Sequence, residues 1–265
     1  MNIEETRKQE AAAAKLVRQD GWAIQYIEHP SLEIQMIAVQ QTGSAIECIV
    51  DPCLEVQLAA VQQEGHSIRY IKHPSIEVQL TAVRQAGRAL SHIEDPSPEV
   101  QMAAVRENAF AIEYISDPSI ELQLAAVQQH GSAIEFIQNP CLEVQMAAVI
   151  QDEYAISYIA DPSVEIRLTS ISQHYESIRF IKDQNDEIIL AYIDSVRAAF
   201  NTKYFYVRNI IKYLYLWESS LSTRLAALQL FIEINDNLSI NTIFNKNLLK
   251  YEDLDDATKV LLELY

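Results

Sequence analysis

Proline recurs every 22 residues along most of this chain, at Pro30, Pro52, Pro74, Pro96, Pro118, Pro140 and Pro162. Every glycine, Gly21, Gly43, Gly65, Gly87 and Gly131, falls at the fourteenth position of the same frame. Punctuation locked to one short period means one structural unit copied many times, and a unit of this size cannot close a core alone. The unit reads PSLEVQLAAVQQxGxAIxYIxD, as in PCLEVQLAAVQQEGHSIRYIKH (52–73) and PSIELQLAAVQQHGSAIEFIQN (118–139). Copies start near residues 8, 30, 52, 74, 96, 118, 140 and 162; the first lacks the proline, and QNDEIILAYIDSV (184–196) begins a ninth that loses the pattern.

Each copy is expected to form two short helices. Asp, Asn or His before the proline (Asp51, Asp95, Asp117, Asn139, Asp161, His29 and His73) is a candidate cap for the first helix, with proline in its first turn. Glycine at the fourteenth position is expected to end that helix in the left-handed conformation, and AIxYI to form a second helix of about two turns. At 100° per residue, frame positions 3, 5, 7, 9 and 10 (Leu54, Val56, Leu58, Ala60 and Val61 in one copy) cover two faces of the first helix. A helix apolar on two sides must be sandwiched between neighbours. The fold class follows: all-α, an α-solenoid of eight helical-hairpin repeats over residues 1–183, with a degenerate repeat and helical cap domain over 184–265.

Composition narrows the function. Average usage would place roughly 19 glycines in such a chain, against 5 here, which argues against Gly-rich phosphate loops and hydrolase elbows. The net charge of −17 opposes direct binding to nucleic acid or an anionic membrane and favours a basic partner. Cys48, Cys53 and Cys141 form no CxxC pair, which indicates a reducing, cytoplasmic setting. No apolar run is long enough for a membrane span, and no leader is expected at MNIEETRKQE.

The string DPSxEVQLAAV resembles the DPxxEVRxAA signature of HEAT-like repeats, including the short type in phycobilin lyase-like proteins, and the DPxxEVR start of variant leucine-rich repeats. With its 22-residue spacing and QxGxAIxYI half, the chain is also similar to a family of short helical repeats of unknown function from bacterial, phage and large-virus proteins. The resemblance covers about residues 8–196 and implies an architecture; it carries almost no function. One departure is the sixth position, where HEAT-like units often have arginine. Here stand Gln35, Gln57, Gln79, Gln101, Gln123 and Gln145, with Arg167 in the eighth copy. These glutamines are expected to form an amide ladder to the next repeat, since buried polar groups need partners.

Two surfaces are candidate sites. Positions fifteen and eighteen vary between copies while their neighbours do not, and they carry aromatics and arginines of the kind that anchor interfaces. The candidate binding residues are Trp22, Gln25, His66, Arg69, Arg88, Phe110, Glu113, Tyr154 and Arg179. The second surface is an acidic ridge at the fourth position, Glu33, Glu55, Glu77, Glu99, Glu121, Glu143 and Glu165, which serves a helix dipole, grips a basic partner or imitates nucleic acid. Histidine spacing offers no metal motif, and no nucleophile or cofactor motif occurs.

From residue 184 the beat fails and aromatics crowd, as in KYFYVRNIIKYLYLWE; the first 183 residues hold 26 acidic and 12 basic side chains, the remainder 11 and 8. This part is expected to cap the stack, with dimerisation as a further use. The leading expectation is a non-enzymatic protein-interaction solenoid, an adaptor or inhibitor of another macromolecule. Its basic or nucleic-acid-binding partner would include a defence protein, given the phage and bacterial company of similar repeats. The alternatives are an acidic nucleic-acid mimic, a HEAT-like enzyme or enzyme subunit of the DNA-glycosylase or lyase kind, and a scaffold self-assembling through residues 184–265.

Overall fold

The computed structural model describes residues 3–182 and 184–199, and these are helical with no strand among them. Nine α-helices alternate with eight 3-10 helices over the described residues. In the first repeats they are α1 (Ile3–Gln19), η1 (Gly21–Tyr26), α2 (Leu32–Gln41), η2 (Gly43–Cys48), α3 (Leu54–Gln63), η3 (Gly65–Tyr70), α4 (Ile76–Gln85) and η4 (Gly87–His92). Then follow α5 (Pro98–Glu107), η5 (Ala109–Tyr114), α6 (Ile120–Gln129), η6 (Gly131–Phe136), α7 (Leu142–Gln151), η7 (Ala155–Tyr158), α8 (Val164–Gln173), η8 (Tyr175–Phe180) and α9 (Asp186–Ala199). The expected cap and dimerisation segment beyond α9 lies outside the described residues.

The chain divides into two compact units, residues 1–144 and 145–265. In the first, each α-helix from α1 to α6 packs beside the next, and each 3-10 helix from η1 to η6 beside the next. Each of η1 to η5 also touches the α-helix of the following repeat, so the two layers interlock. This is a helical solenoid. In the second unit α8 packs on α9, η7 on η8, and η8 lies against both α8 and α9.

The second half of each repeat is a short helix of about two turns, as expected, and it is of the 3-10 kind, six residues long in most copies. Its bonds span three residues, as in Ser67 N–H to the Glu64 carbonyl (2.9 Å) and Ile71 N–H to that of Ile68 (3.0 Å). The glycines play a different part. None has a positive φ. Instead Gly21, Gly43, Gly65 and Gly87 each open a 3-10 helix pressed against the next repeat. A Cβ on Gly43 or Gly65 would lie 2.5 Å from the carbonyl oxygen of Ala60 or Ala82. Close approach, not left-handed geometry, is what requires glycine.

The left-handed turn sits at the end of the repeat, at Asp51, His73, Asp95 and Asn139, with φ between 46° and 50°. Asp and Asn adopt this region more readily than other side chains. These residues therefore turn the chain and do not cap the helix. The cap is the residue after the proline: Ser75, Ser97, Ser119 and Ser163 each accept a backbone N–H three residues on, at 3.3 to 3.4 Å. The framed prolines thus precede the cap. Only the out-of-frame Pro98 occupies the first turn itself.

The core is also narrower than the helical wheel implied. Val56, Ala60 and Val61 are fully buried and Leu58 is half-buried, but Leu54, assigned to the buried arc, is 45% exposed. As the first residue of α3 it lies at the free end of the helix, before the packed turn begins. The 3-10 layer completes each core with Ile68 and Ile71 in the third repeat and their equivalents Leu90 and Ile93 in the fourth. Each such side chain contributes at most about 1.5–3 kcal/mol of burial.

Amides join the repeats, by a different route from the one expected. The sixth-position glutamines turn inward on their own repeat. Gln35, Gln57, Gln79, Gln101 and Gln123 donate from Nε2 to the carbonyl of the proline five residues earlier, at 2.8 to 3.0 Å. Arg167 does the same from Nε to Pro162 (2.8 Å). The rung between repeats is the twelfth position: Gln63 Oε1 accepts from Gly43 N–H and Gln85 Oε1 from Gly65 N–H, both at 2.7 Å.

Candidate functional sites

Three surface features of this scaffold are candidate sites. The first is the variable face of the 3-10 layer. Local chemistry fixes its start: Asp20 accepts from Trp22 N–H, Asn108 from Phe110 N–H and Asp152 from Tyr154 N–H, at 2.9 to 3.0 Å. The fifteenth residue, just inside this turn, then reaches toward the nineteenth of the following repeat. His66 meets His92 edge-on at 5.5 Å between ring centroids, and Phe110 meets Phe136 at 6.1 Å and 88°. Phe110 also packs on His130 at 4.7 Å. In the second unit Tyr154 meets Phe180 at 5.4 Å.

Charges follow the same direction. Arg88 pairs with Glu113 across η4 and η5 at 3.7 Å. Arg179 pairs with Glu153 at 3.1 Å and Glu176 at 3.7 Å, and lies over the rings of Tyr154 and Phe180. Trp22 is half-buried and Gln25 exposed in η1. Six of the nine predicted residues, His66, Arg88, Phe110, Glu113, Tyr154 and Arg179, are thus held by neighbours in an adjoining repeat; Trp22, Gln25 and Arg69 are not. Joint variation at an offset of 26 residues was the signal for these pairs: His with His, Phe with Phe, Tyr with Phe.

Histidines 66 and 92 lie close enough to share a proton, with Nδ1 of one 3.4 Å from Nε2 of the other. Burial, then His66 and Arg69, lower the pKa of His92 below its ordinary 6.5. Burial, with Glu47 adding to it, pushes the Cys48 thiol up, which opposes a reactive thiolate there. The described residues contain no group of three or more His, Cys, Asp or Glu placed to hold a metal ion.

The second feature joins the acidic ridge to a row that the helical wheel had assigned to the core. Glu33, Glu55, Glu77, Glu99, Glu121 and Glu143 are all exposed in the first turns of α2 to α7, as is Glu165 in α8. Immediately before them stand Leu32, Leu54, Ile76, Ile120 and Leu142, between 45% and 56% exposed. Pro98 fills the place in α5, and Val164 in α8 is also exposed. Each repeat therefore offers one aliphatic side chain and one carboxylate in sequence at the same helix end.

The third feature is a cleft in the loops that follow the 3-10 helices. Between the third and fourth repeats it has a volume of 570 Å³, and its walls include Arg69, Lys72, His73, Gln79, His92, Glu94 and Asp95. The corresponding cleft of the second unit measures 130 Å³ and includes Arg167 and Lys182. Sequence reasoning singled out Arg69 and left Lys72 unremarked. Their shared cleft emerges only when the loops of consecutive copies are juxtaposed.

Fold and surface together define an all-helical repeat solenoid of paired α and 3-10 helices, and no helix of the described residues is long and apolar enough to cross a membrane. No family model, curated protein or solved structure matches this chain.

Proposed function

We propose that this chain is a non-enzymatic protein-binding solenoid, an adaptor or inhibitor that lays its α-helix ends against a basic amphipathic segment of another protein. One observation carries the reading: Leu32, Leu54, Ile76, Ile120 and Leu142 are about half exposed, each followed by an exposed glutamate. Solubility alone favours no aliphatic residue at a repeated exposed position, whereas a partner that brings apolar and cationic side chains satisfies both rows. The −17 net charge supports a cationic partner, since long-range attraction raises the rate of encounter. A nucleic-acid-binding protein is a natural class of target, and its inhibition a natural outcome.

The test is affinity capture at physiological salt with the full chain and with a Leu54→Ser, Ile76→Ser variant. Both side chains are already exposed, so circular dichroism of the variant should match that of the parent. A stoichiometric partner lost with the variant supports the reading; undiminished capture removes this surface from it. Retention of duplex DNA by the chain itself would favour the enzyme alternative instead.

A further inference from the structure

Between residues 19 and 105 the only Lys and Arg are Arg69, Lys72, Arg84 and Arg88, in a chain with 17 excess negative charges. Two of the four line the 570 Å³ cleft, together with His73 and His92. The repeat frame makes this exceptional. At the positions of Arg69, Lys72 and His73 the second repeat has Glu47, Val50 and Asp51, and the fourth has Ser91, Glu94 and Asp95. No other repeat of the first unit places Lys or Arg at either of the first two positions.

Neither Arg69 nor Lys72 is neutralised by a carboxylate among the described residues. Arg69 donates to the Tyr70 hydroxyl (2.7 Å) and lies 4.6 Å over its ring. Glu94 and Asp95 nonetheless line the same cleft. A cleft with a cationic wall and a carboxylate wall that do not close on each other leaves room for a ligand that is anionic at one end and rich in hydroxyl donors at the other. Its volume lies within the roughly 300–1,000 Å³ usual for small-molecule sites.

We propose that this cleft binds a small phosphorylated polyol, of the size of a sugar phosphate or mononucleotide. The phosphate lies against Arg69, Lys72 and His73, where guanidinium, ammonium and imidazole N–H groups supply charge-assisted hydrogen bonds. The hydroxyl groups donate to Glu94 and Asp95. This site is distinct from the aliphatic and glutamate rows on the α-helix ends and stands whether or not they bind a protein.

Isothermal titration of the full chain at physiological salt tests it, with ribose 5-phosphate, adenosine monophosphate, inorganic phosphate, ribose and citrate as probes. A phosphorylated sugar should bind at one site, at least tenfold tighter than phosphate or ribose alone. Arg69→Gln with Lys72→Gln should weaken it at least tenfold. Glu94→Gln with Asp95→Asn should weaken ribose 5-phosphate but not inorganic phosphate, and Arg84→Gln, outside the cleft, should change nothing. All these residues are exposed, and circular dichroism checks that each variant is folded. No binding of either phosphorylated sugar, an equal loss with Arg84→Gln, or tighter binding of citrate would overturn the proposal.

Discussion

Serine 67 shows how finely a single atom can be at odds with a repeat. Its hydroxyl is buried with no hydrogen-bond partner, at a position where Ala45, Ala89, Ala111 and Ala133 stand in other copies. Removing an unsatisfied buried hydroxyl regains a desolvation penalty of about 1–3 kcal/mol. Ser67→Ala is therefore expected to raise the midpoint of urea unfolding, and Ala89→Ser to lower it; a stabilising Ala89→Ser would contradict this account. The histidine pair makes a second prediction. Because the pKa of His92 is lowered on folding, the unfolded chain binds the proton more readily. Its contribution to stability is complete above pH 6.5 and is lost as pH falls through that value toward the lower folded pKa. Replacing His92 by phenylalanine should flatten unfolding midpoints across that window, and an unchanged slope would show that His92 does not titrate as described.

At the scale of the element, Gly65 belongs to its neighbour as much as to its own repeat. A methyl group there would meet the Ala82 carbonyl at 2.5 Å, backbone that cannot step aside without moving α4. Gly65→Ala is expected to cost more than about 2 kcal/mol by overpacking. Gln85→Ala, which leaves the Gly65 N–H without its acceptor, should cost about 1–3 kcal/mol. Chemical denaturation measures both, and near-neutral values would mean that the repeats separate here at little cost.

The beat of proline and glycine made the unit, its length and its helical class legible. Less legible was what the glycine does: one copy read alone does not show the Ala82 carbonyl of the next repeat, which a Cβ at Gly65 would meet at 2.5 Å. Leu54 was misplaced for another reason. A helical wheel treats every position as mid-helix, whereas this residue begins one. In the candidate sites, glutamates 33 to 143 were visible from dipole logic. The aliphatic row beside them was hidden by that same wheel, and the fifteenth-position partners by reading one copy at a time.

For the molecule as a whole, the first unit is a chain of nearest-neighbour contacts, helix upon like helix. Stability in such an array is close to a sum over repeats and their interfaces. Excising residues 52–73, one whole unit, should keep the helical signal per residue at 222 nm and lower the unfolding midpoint. Excising only 52–62 should abolish cooperative unfolding, because it joins ends that are out of phase. Equal tolerance of both deletions would refute a stack in register.

The aromatic and imidazole pairs run from one copy into the next with an offset of 26, four residues longer than the period of the sequence. What is duplicated and what packs are therefore different segments. Any new copy inserted into such an array inherits half of each of two pairs, and its partners must be matched again across both seams. His66 with His92 and Phe110 with Phe136 are then records of local reconciliation, each joint a small lineage of its own within one chain.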